Sequence, residues 1–329
     1  MGGVVRDLAA QDIWAWLADR GEFGEVVVLA NGCRDGTAAR ASEAARDVRT
    51  PGVTVRVFDL TAPGKSRTWN AFVHRHSDPA AGLLFFCDGD IVLPDRGTLR
   101  VMAEFMARES RAMVGTSRPT KDLELREPRG LLEVLSRSVA RLSQGVARHA
   151  IAGSLYCARR ELAGRVEMPV GLLGEDGYMR LAASTMGFRE APDDFRVERV
   201  PGAMHVFSPC KTAREYLDHE RRLVMGTVQN FAVWDWIRSL PPGSDAAEGV
   251  RSRNEAEDGW SVALMRRSFE QTGWRALVRR VLARRLTEWR MQRWRSRLVL
   301  LPAVLAKAGL GCAATVLAYR QAISGNVRW

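Results

Sequence analysis

Three short apolar runs, each closed by a polar turn, limit what this chain can fold into. Glu25–Ala30 (EVVVLA) ends at Asn31-Gly32, Val53–Phe58 (VTVRVF) follows the breaker Pro51-Gly52, and Gly82–Asp88 (GLLFFCD) is apolar until its last residue. The first, continuous and β-branched, reads as a buried strand ending in a turn, the second as a β-rich strand and the third as a fully apolar one. The Ala-rich stretch Thr37–Val48 and the segment Ser66–Ser77 lie between them and read as helices. Strand and helix alternate, which predicts an α/β fold with a mainly parallel central sheet covered by helices. Later elements are expected as helices over Arg96–Ala107, Leu131–Ala147 and Asp176–Met186, with strands over Ile151–Ala158 and Arg196–Val200.

In open sheets of this kind ligands bind beyond the carboxyl ends of the strands. Asp35, Asp88 and Asp90 all fall there. In Asp88-Gly89-Asp90 two carboxylates two residues apart face one site across a glycine that adds no bulk, which suits a hard cation such as Mg2+ or Mn2+. An acidic turn has the same composition, so the spacing by itself leaves both readings open. Asn31-Gly32-Cys33-Arg34-Asp35-Gly36-Thr37 leaves backbone N–H groups and one carboxylate at the same rim, and Gly64-Lys65-Ser66-Arg67 adds a cation suited to a phosphate or a base edge.

Taken in order, these segments resemble the inverting family 2 glycosyltransferases of the GT-A fold, in which Asp-Gly-Thr follows one strand, Gly-Lys precedes a helix and Asp-x-Asp follows a third strand. Gly153-Ser154-Leu155-Tyr156 resembles the small-residue segment on the acceptor side of that family, and Gly174-Glu175-Asp176-Gly177 its Glu-Asp signature at a helix start. The resemblance spans roughly residues 20–210. It implies a nucleotide-diphospho-sugar transferase fold, with a catalytic domain over residues 1–210 and a helical C-terminal region over 211–329. It also implies a nucleotide site at Asn31, Asp35, Lys65 and Asp88, a metal site at Asp88, Asp90 and His205, and a general base at Asp176 beside Glu175. Asp35 would hold the nucleobase edge, Lys65 the base or diphosphate, and Asp88 the ribose and the metal. A UDP-sugar is the implied donor and a saccharide or lipid-linked molecule the implied acceptor, as in polysaccharide or cell-envelope biosynthesis. A base is required because the attacking hydroxyl must lose its proton, and two adjacent carboxylates push one pKa upward. Arg180, Arg221 and Arg222 are further possible contacts for the diphosphate or the acceptor.

The chain departs from the family in two places. Members begin with an apolar strand and a Pro-x-x-Asn-Glu-like loop, whereas Met1-Gly2-Gly3-Val4-Val5 runs directly into an amphipathic helix over Arg6–Arg20. Either the start is assigned too far downstream, or part of the donor site is lost and the protein is an impaired scaffold. The Gln-x-x-Arg-Trp signature of processive relatives is absent from its place, which implies a single sugar addition per acceptor encounter. A metal-dependent nucleotidyltransferase is a further alternative, though it leaves Glu175-Asp176 unexplained.

Charge separates the two regions. The net charge is +11, and residues 251–329 hold 16 of the 49 Lys and Arg and 5 of the 38 Asp and Glu, which leaves 33 of each sign before them. In that tail Trp260, Trp274, Trp289 and Trp294 are interleaved with arginines, the composition of an interfacial helix on an anionic membrane. Leu298–Tyr319 has the length of a span but contains Lys307 and Pro302, so a surface-lying or re-entrant segment fits better. No nucleic-acid module is visible, and nucleic acid is not expected as a partner. Leu240 through Asp258, rich in Pro, Gly, Ser and charge, reads as a linker. The five cysteines are scattered and form no Cys-x-x-Cys pair, and no signal peptide is visible; the expected location is cytoplasmic, peripheral at the membrane.

Overall fold

Val26, Val28 and Ala30 are buried on one face of strand β1 (Gly24–Asn31). β1 pairs in parallel with β2 (Val53–Leu60), from Gly24 opposite Val53 to Asn31 opposite Leu60. A parallel pair needs a crossover, supplied by helix α3 (Thr37–Asp47), which buries Ala41 and Ala44. The computed structural model describes residues 2–121, 149–208, 210, 212–290 and 294–325. The helix expected over Leu131–Ala147 lies outside them.

Two helices precede β1, α1 (Gly2–Ala9) and α2 (Ile13–Ala18), where one was expected. The break has a local cause. Gln11 turns inward, donating to Asp95 O (3.0 Å) and accepting from Leu99 N (3.2 Å), so the chain bends to satisfy a buried amide. After β2 come α4 (Lys65–Ala71) with a π-helical turn (Phe72–His76), β3 (Leu83–Cys87), α5 (Thr98–Arg108), β4 (Val114–Lys121), β5 (Leu155–Arg159), the short α6 (Arg160–Ala163), α7 (Glu175–Ser184) and β6 (Val197–Phe207).

The second sheet runs β3-β5-β4-β6. Its pairing is mixed: β5 is antiparallel to β3 and β4, while β4 and β6 are parallel. The parallel character expected from alternation is therefore confined to the β1–β2 and β4–β6 pairs. β1 bonds to β2 and β3 bonds to β5, and no ladder joins β1 to β3 among the described residues. The first strand expected of the family has no counterpart there either. The two sheets nevertheless share one apolar core, in which Val26 and Val28 pack with Leu99, Met102 and the β3 side chains Leu83 and Phe85.

Five helices complete the chain: α8 (Ala213–Arg238), α9 (Ala246–Ala256), α10 (Trp260–Thr272), α11 (Trp274–Arg290) and α12 (Trp294–Ser324). The expected linker over 240–258 is mostly α9. The Asp245 carboxylate caps it by accepting from Ala247 N (2.8 Å) and Glu248 N (3.3 Å), and Val250 is fully buried. Trp260, expected at an interface, is also buried and packs on Trp236 with ring centroids 4.8 Å apart. Apolar burial thus seats the start of the C-terminal region on the same core as β3 and β5.

Candidate active site

β3 ends at Cys87 because Asp88 turns out of the sheet while Asp88 N still donates to Ser154 O, at 2.9 Å. Beyond Gly89-Asp90, Val92 exchanges two backbone hydrogen bonds of 2.9 Å with Val206 in β6. The Asp88-Gly89-Asp90 turn is therefore anchored at both ends, with Asp88 half-buried and Asp90 exposed. The Cys87 thiol beneath it is pushed up to about 12, first by burial and then by Asp88 and Asp90.

Lys65 opens α4 and reaches across to this turn, its Nζ 2.8 Å from Asp88 Oδ1. Its ammonium is held above its ordinary range: burial opposes the charge, but Asp88, with help from Glu175 and Asp176, outweighs it. The loop that presents Lys65 is fastened to the end of β1, where Asn31 Oδ1 accepts from Gly64 N at 2.7 Å. Gly32, with φ +61°, lies where a Cβ would come within 2.9 Å of Pro63, so this loop requires glycine.

Glu175 and Asp176 open α7. The Glu175 carboxyl is raised, first by burial, with Lys65 opposing and Asp176 and Asp88 adding to the shift. Gly153 abuts Asp176, where a Cβ would sit 3.2 Å from the Asp176 Cβ. Four of the expected charged groups, Lys65, Asp88, Glu175 and Asp176, thus act on one another at one rim. Below them Tyr156 stacks on Phe86 (4.6 Å, 12°) and accepts from Trp69 Nε1 (2.8 Å), and its hydroxyl is pushed up first by burial and also by Glu175 and Asp88.

Asp35 and His205 are engaged elsewhere. Asp35 accepts from Thr37 N (3.2 Å) and Thr37 Oγ1 (2.6 Å) and pairs with Arg40 (3.3 Å), and the Thr37 hydroxyl is the main reason its carboxyl is lowered. His205 has no exposed surface. Ser117 Oγ donates to Leu155 O at 2.8 Å, so it accepts from His205 Nδ1 (2.7 Å), which leaves Nε2 to accept from Ser154 Oγ at 2.6 Å. Burial pushes this imidazole down to about 4. Arg180 is held on Asp194 (2.7 Å) and His149 O (2.9 Å), and Arg221 pairs with Asp218 (3.2 Å).

Sequence reasoning missed the polar side chains that hold the loop before Glu175. Asn230 Nδ2 donates to Gly174 O (2.9 Å), Gln229 accepts from Leu173 N (2.9 Å) and donates to Gly171 O (3.1 Å), and Asn254 Oδ1 accepts from Val170 N (2.9 Å). Gln229-Asn230 inside the otherwise apolar Val228–Val233 run was the available signal, since buried amides need partners. His219 in α8 was also missed. Its ring is held below its ordinary range by partial burial and the Arg222 guanidinium, with Asp176 pulling the other way.

Among the described residues no three or more His, Cys, Asp or Glu side chains converge as a metal site. Two oxygen-donor carboxylates at the rim suit a hard divalent cation that takes the rest of its shell from a phosphate ligand and water. Asp88 and Asp90 are the residues that fit it, with Lys65 as the present counter-ion of Asp88.

The two helix-covered sheets and the C-terminal helical region share the GT-A fold of a solved glycosyltransferase. Residues 4–162 match the family described as Glycosyl transferase family 2, so the chain carries a family 2 glycosyltransferase domain. Among solved structures it resembles the mannosyltransferase PcManGT from Pyrobaculum calidifontis in complex with GDP-Man and Mn2+, with 18% identity and a TM-score of 0.54 over 98% of this chain and 82% of that one. A mycobacterial protein crystal structure matches with 18% identity and a TM-score of 0.42 over 70% of this chain and 69% of that one. No protein of curated function matches the chain.

Proposed function

We propose that this chain transfers a sugar from a nucleoside-diphosphate sugar to a saccharide or lipid-linked acceptor hydroxyl by a single inverting displacement, at the cytoplasmic face of a membrane. The observation that carries the reading is the shared rim of Lys65, Asp88, Glu175 and Asp176, which joins a diphosphate-binding cation to a pair of carboxylates at a helix start. Asp176 is the group that accepts the proton of the attacking hydroxyl, and Glu175 beside it shapes the field in which it does so. Lys65 holds the diphosphate once it exchanges Asp88 for a phosphate oxygen. Asn31 keeps the Lys65 loop in place, and Asp35 meets the nucleobase edge by giving up its bond to Arg40. Asp88 and Asp90 would hold a Mg2+ or Mn2+, which would supply positive charge to offset that of the departing diphosphate. His205 joins that shell only by exchanging its bond to Ser154; otherwise it sets Ser154, whose carbonyl holds Asp88.

A UDP-sugar is the expected donor. The fold-level likeness to a structure holding GDP-Man makes a GDP-sugar the second one to test. The divided sheet favours one competing reading, a domain with an incomplete nucleoside pocket that acts as a scaffold. Metal-dependent hydrolysis of a panel of UDP- and GDP-sugars by the full chain, compared with Asp90→Ala and Asp176→Asn, separates the two. Turnover lost in both variants supports the transferase, whereas equal rates in all three proteins refute the site. Donor binding with no turnover on any acceptor favours the scaffold.

A further inference from the structure

From Leu301 to Leu317 the long last helix, α12, is apolar on the side that faces solvent. Its other side is accounted for: Ala318 and Ala322 are buried in a cluster with Met225 of α8 and Met265 and Phe269 of α10. Opposite them, Leu301, Leu305, Leu310 and Leu317 are 38%, 63%, 37% and 36% exposed. Every exposed residue described between 301 and 317 is Leu, Pro, Ala or Gly. At 1.5 Å per residue these positions make an apolar face about 24 Å long. Leu301 and Leu305 lie on one flank, Leu310 and Leu317 on the other, and Ala306, Gly309 and Ala313 between them, with Lys307 half-buried outside the exposed set. Single exposed leucines are ordinary on a soluble domain, but a contiguous stripe of this length marks a contact surface.

The neighbouring helix supplies the charge. α11 packs on α12 where a Cβ on Gly311 would lie 3.1 Å from Val281. On its solvent side Arg275, Arg279 and Arg290 are exposed around the exposed Leu282 and Leu286. No helix among the described residues is long and apolar enough to cross a membrane. An apolar stripe that cannot span, beside exposed arginines and within a segment that carries the whole net charge of +11, has the chemistry of a helix lying in the headgroup boundary of an anionic bilayer.

We infer that the solvent face of α12 is the lipid-contacting surface of this protein, that the α11 arginines pair with anionic headgroups, and that α12 lies in the membrane plane without crossing it. The contact is centred on the leucines of α12 and not on Trp260, which is core. The inference deepens the membrane placement proposed for the transferase but needs no catalysis. One helix links the surface to the site: α8 touches α12 through Met225, and its Asn230 holds Gly174 just before the Glu175-Asp176 pair. Docking through α12 therefore fixes the site at a set height above the bilayer, within reach of membrane-borne acceptors.

The test is co-sedimentation of the full chain with phosphatidylcholine vesicles, with and without phosphatidylglycerol. The Leu301→Ser/Leu305→Ser/Leu310→Ser/Leu317→Ser variant changes exposed side chains only, and an unchanged melting temperature verifies its fold. Wild type should sediment with the anionic vesicles, and the variant should bind them at least about tenfold more weakly, with metal-dependent donor hydrolysis unchanged. Arg275→Ser/Arg279→Ser/Arg290→Ser should remove the preference for phosphatidylglycerol while leaving weak binding to both vesicle types. Equal binding by wild type and the leucine variant overturns the proposal. So does a wild-type dimer in sedimentation equilibrium that the leucine variant dissociates, because a second copy then covers the stripe. Loss of donor hydrolysis in every protein with vesicle binding intact strikes at the transferase reading alone.

Discussion

Lys65 Nζ lies 2.8 Å from Asp88 Oδ1, although 22 residues, a π-helical turn and a strand separate them. The pair joins the end of the β1–β2 sheet to the end of β3, where no backbone ladder links the two sheets among the described residues. In the transferase reading this contact is a resting state: the ammonium occupies the carboxylate until a diphosphate draws it away.

Replacing Lys65 by Met should therefore raise the KM for the donor and lower kcat/KM by about 10- to 100-fold, the range of one charge-assisted hydrogen bond. Steady-state kinetics with the donor varied checks this. An unchanged KM would separate Lys65 from the diphosphate.

Asp88→Ala and Asp90→Ala should each abolish the dependence of nucleoside-diphosphate binding on Mn2+. Calorimetric titration of UDP and GDP, with and without the metal, reads this directly. Asp90→Ala is the cleaner variant, because Asp88→Ala also leaves the Lys65 charge unpaired.

Glu175→Gln should stabilise the protein at neutral and alkaline pH. Burial raises the Glu175 carboxyl, so the native state holds its proton to higher pH than the unfolded chain does. Stability is then lost as pH rises through the native pKa. The gain from the neutral isostere should be small below the ordinary glutamate range and grow as pH rises above it. Melting temperatures across that range test the sign, and a gain confined to acid conditions would contradict it.

His205 carries the opposite dependence. Its native pKa is pushed down to about 4 from 6.5, so its contribution is complete above 6.5 and is lost as pH falls toward 4, a difference of roughly 3 kcal/mol. His205→Gln should flatten that acid limb of the stability profile. Ser154→Ala should lower stability more than donor turnover, since it leaves the buried His205 Nε2 without its donor while the Ser154 main chain that holds Asp88 is kept.

Gly226→Val should lower kcat more than it raises the donor KM. A Cβ at Gly226 would already lie 3.0 Å from Gly174 N, so a larger side chain pushes back the loop that leads into Glu175-Asp176. The acceptor side should suffer first. Equal losses in both parameters would indicate that the whole site had moved.

Much of this was legible in the residues themselves. The strands over Glu25–Ala30, Val53–Phe58 and Gly82–Asp88 recur as β1, β2 and β3, because short runs of β-branched or of large apolar and aromatic residues bounded by polar turns favour extended backbone. The helix expected at Thr37–Val48 is α3 to within one residue. What was not legible depended on partners distant in sequence. The break at Gln11 exists because of Asp95 and Leu99, and α9 forms where Gly and charge suggested a linker because Asp245 caps it and Val250 is buried in the core.

The sequence alone determined the strand–helix alternation, the polar turns at the strand ends and hence the family, since these follow from local propensity and the spacing of a few side chains. The tertiary structure decided which of those side chains meet. It gathered Lys65, Asp88, Glu175 and Asp176 at one rim, turned Asp35 onto Thr37 and Arg40, and buried His205 between Ser117 and Ser154. It also divided the basic tail into a core-forming part at Trp260 and an apolar outer face on α12. Burial and hydrogen-bond partnership are properties of the packed chain, and no run of residues carries them by itself.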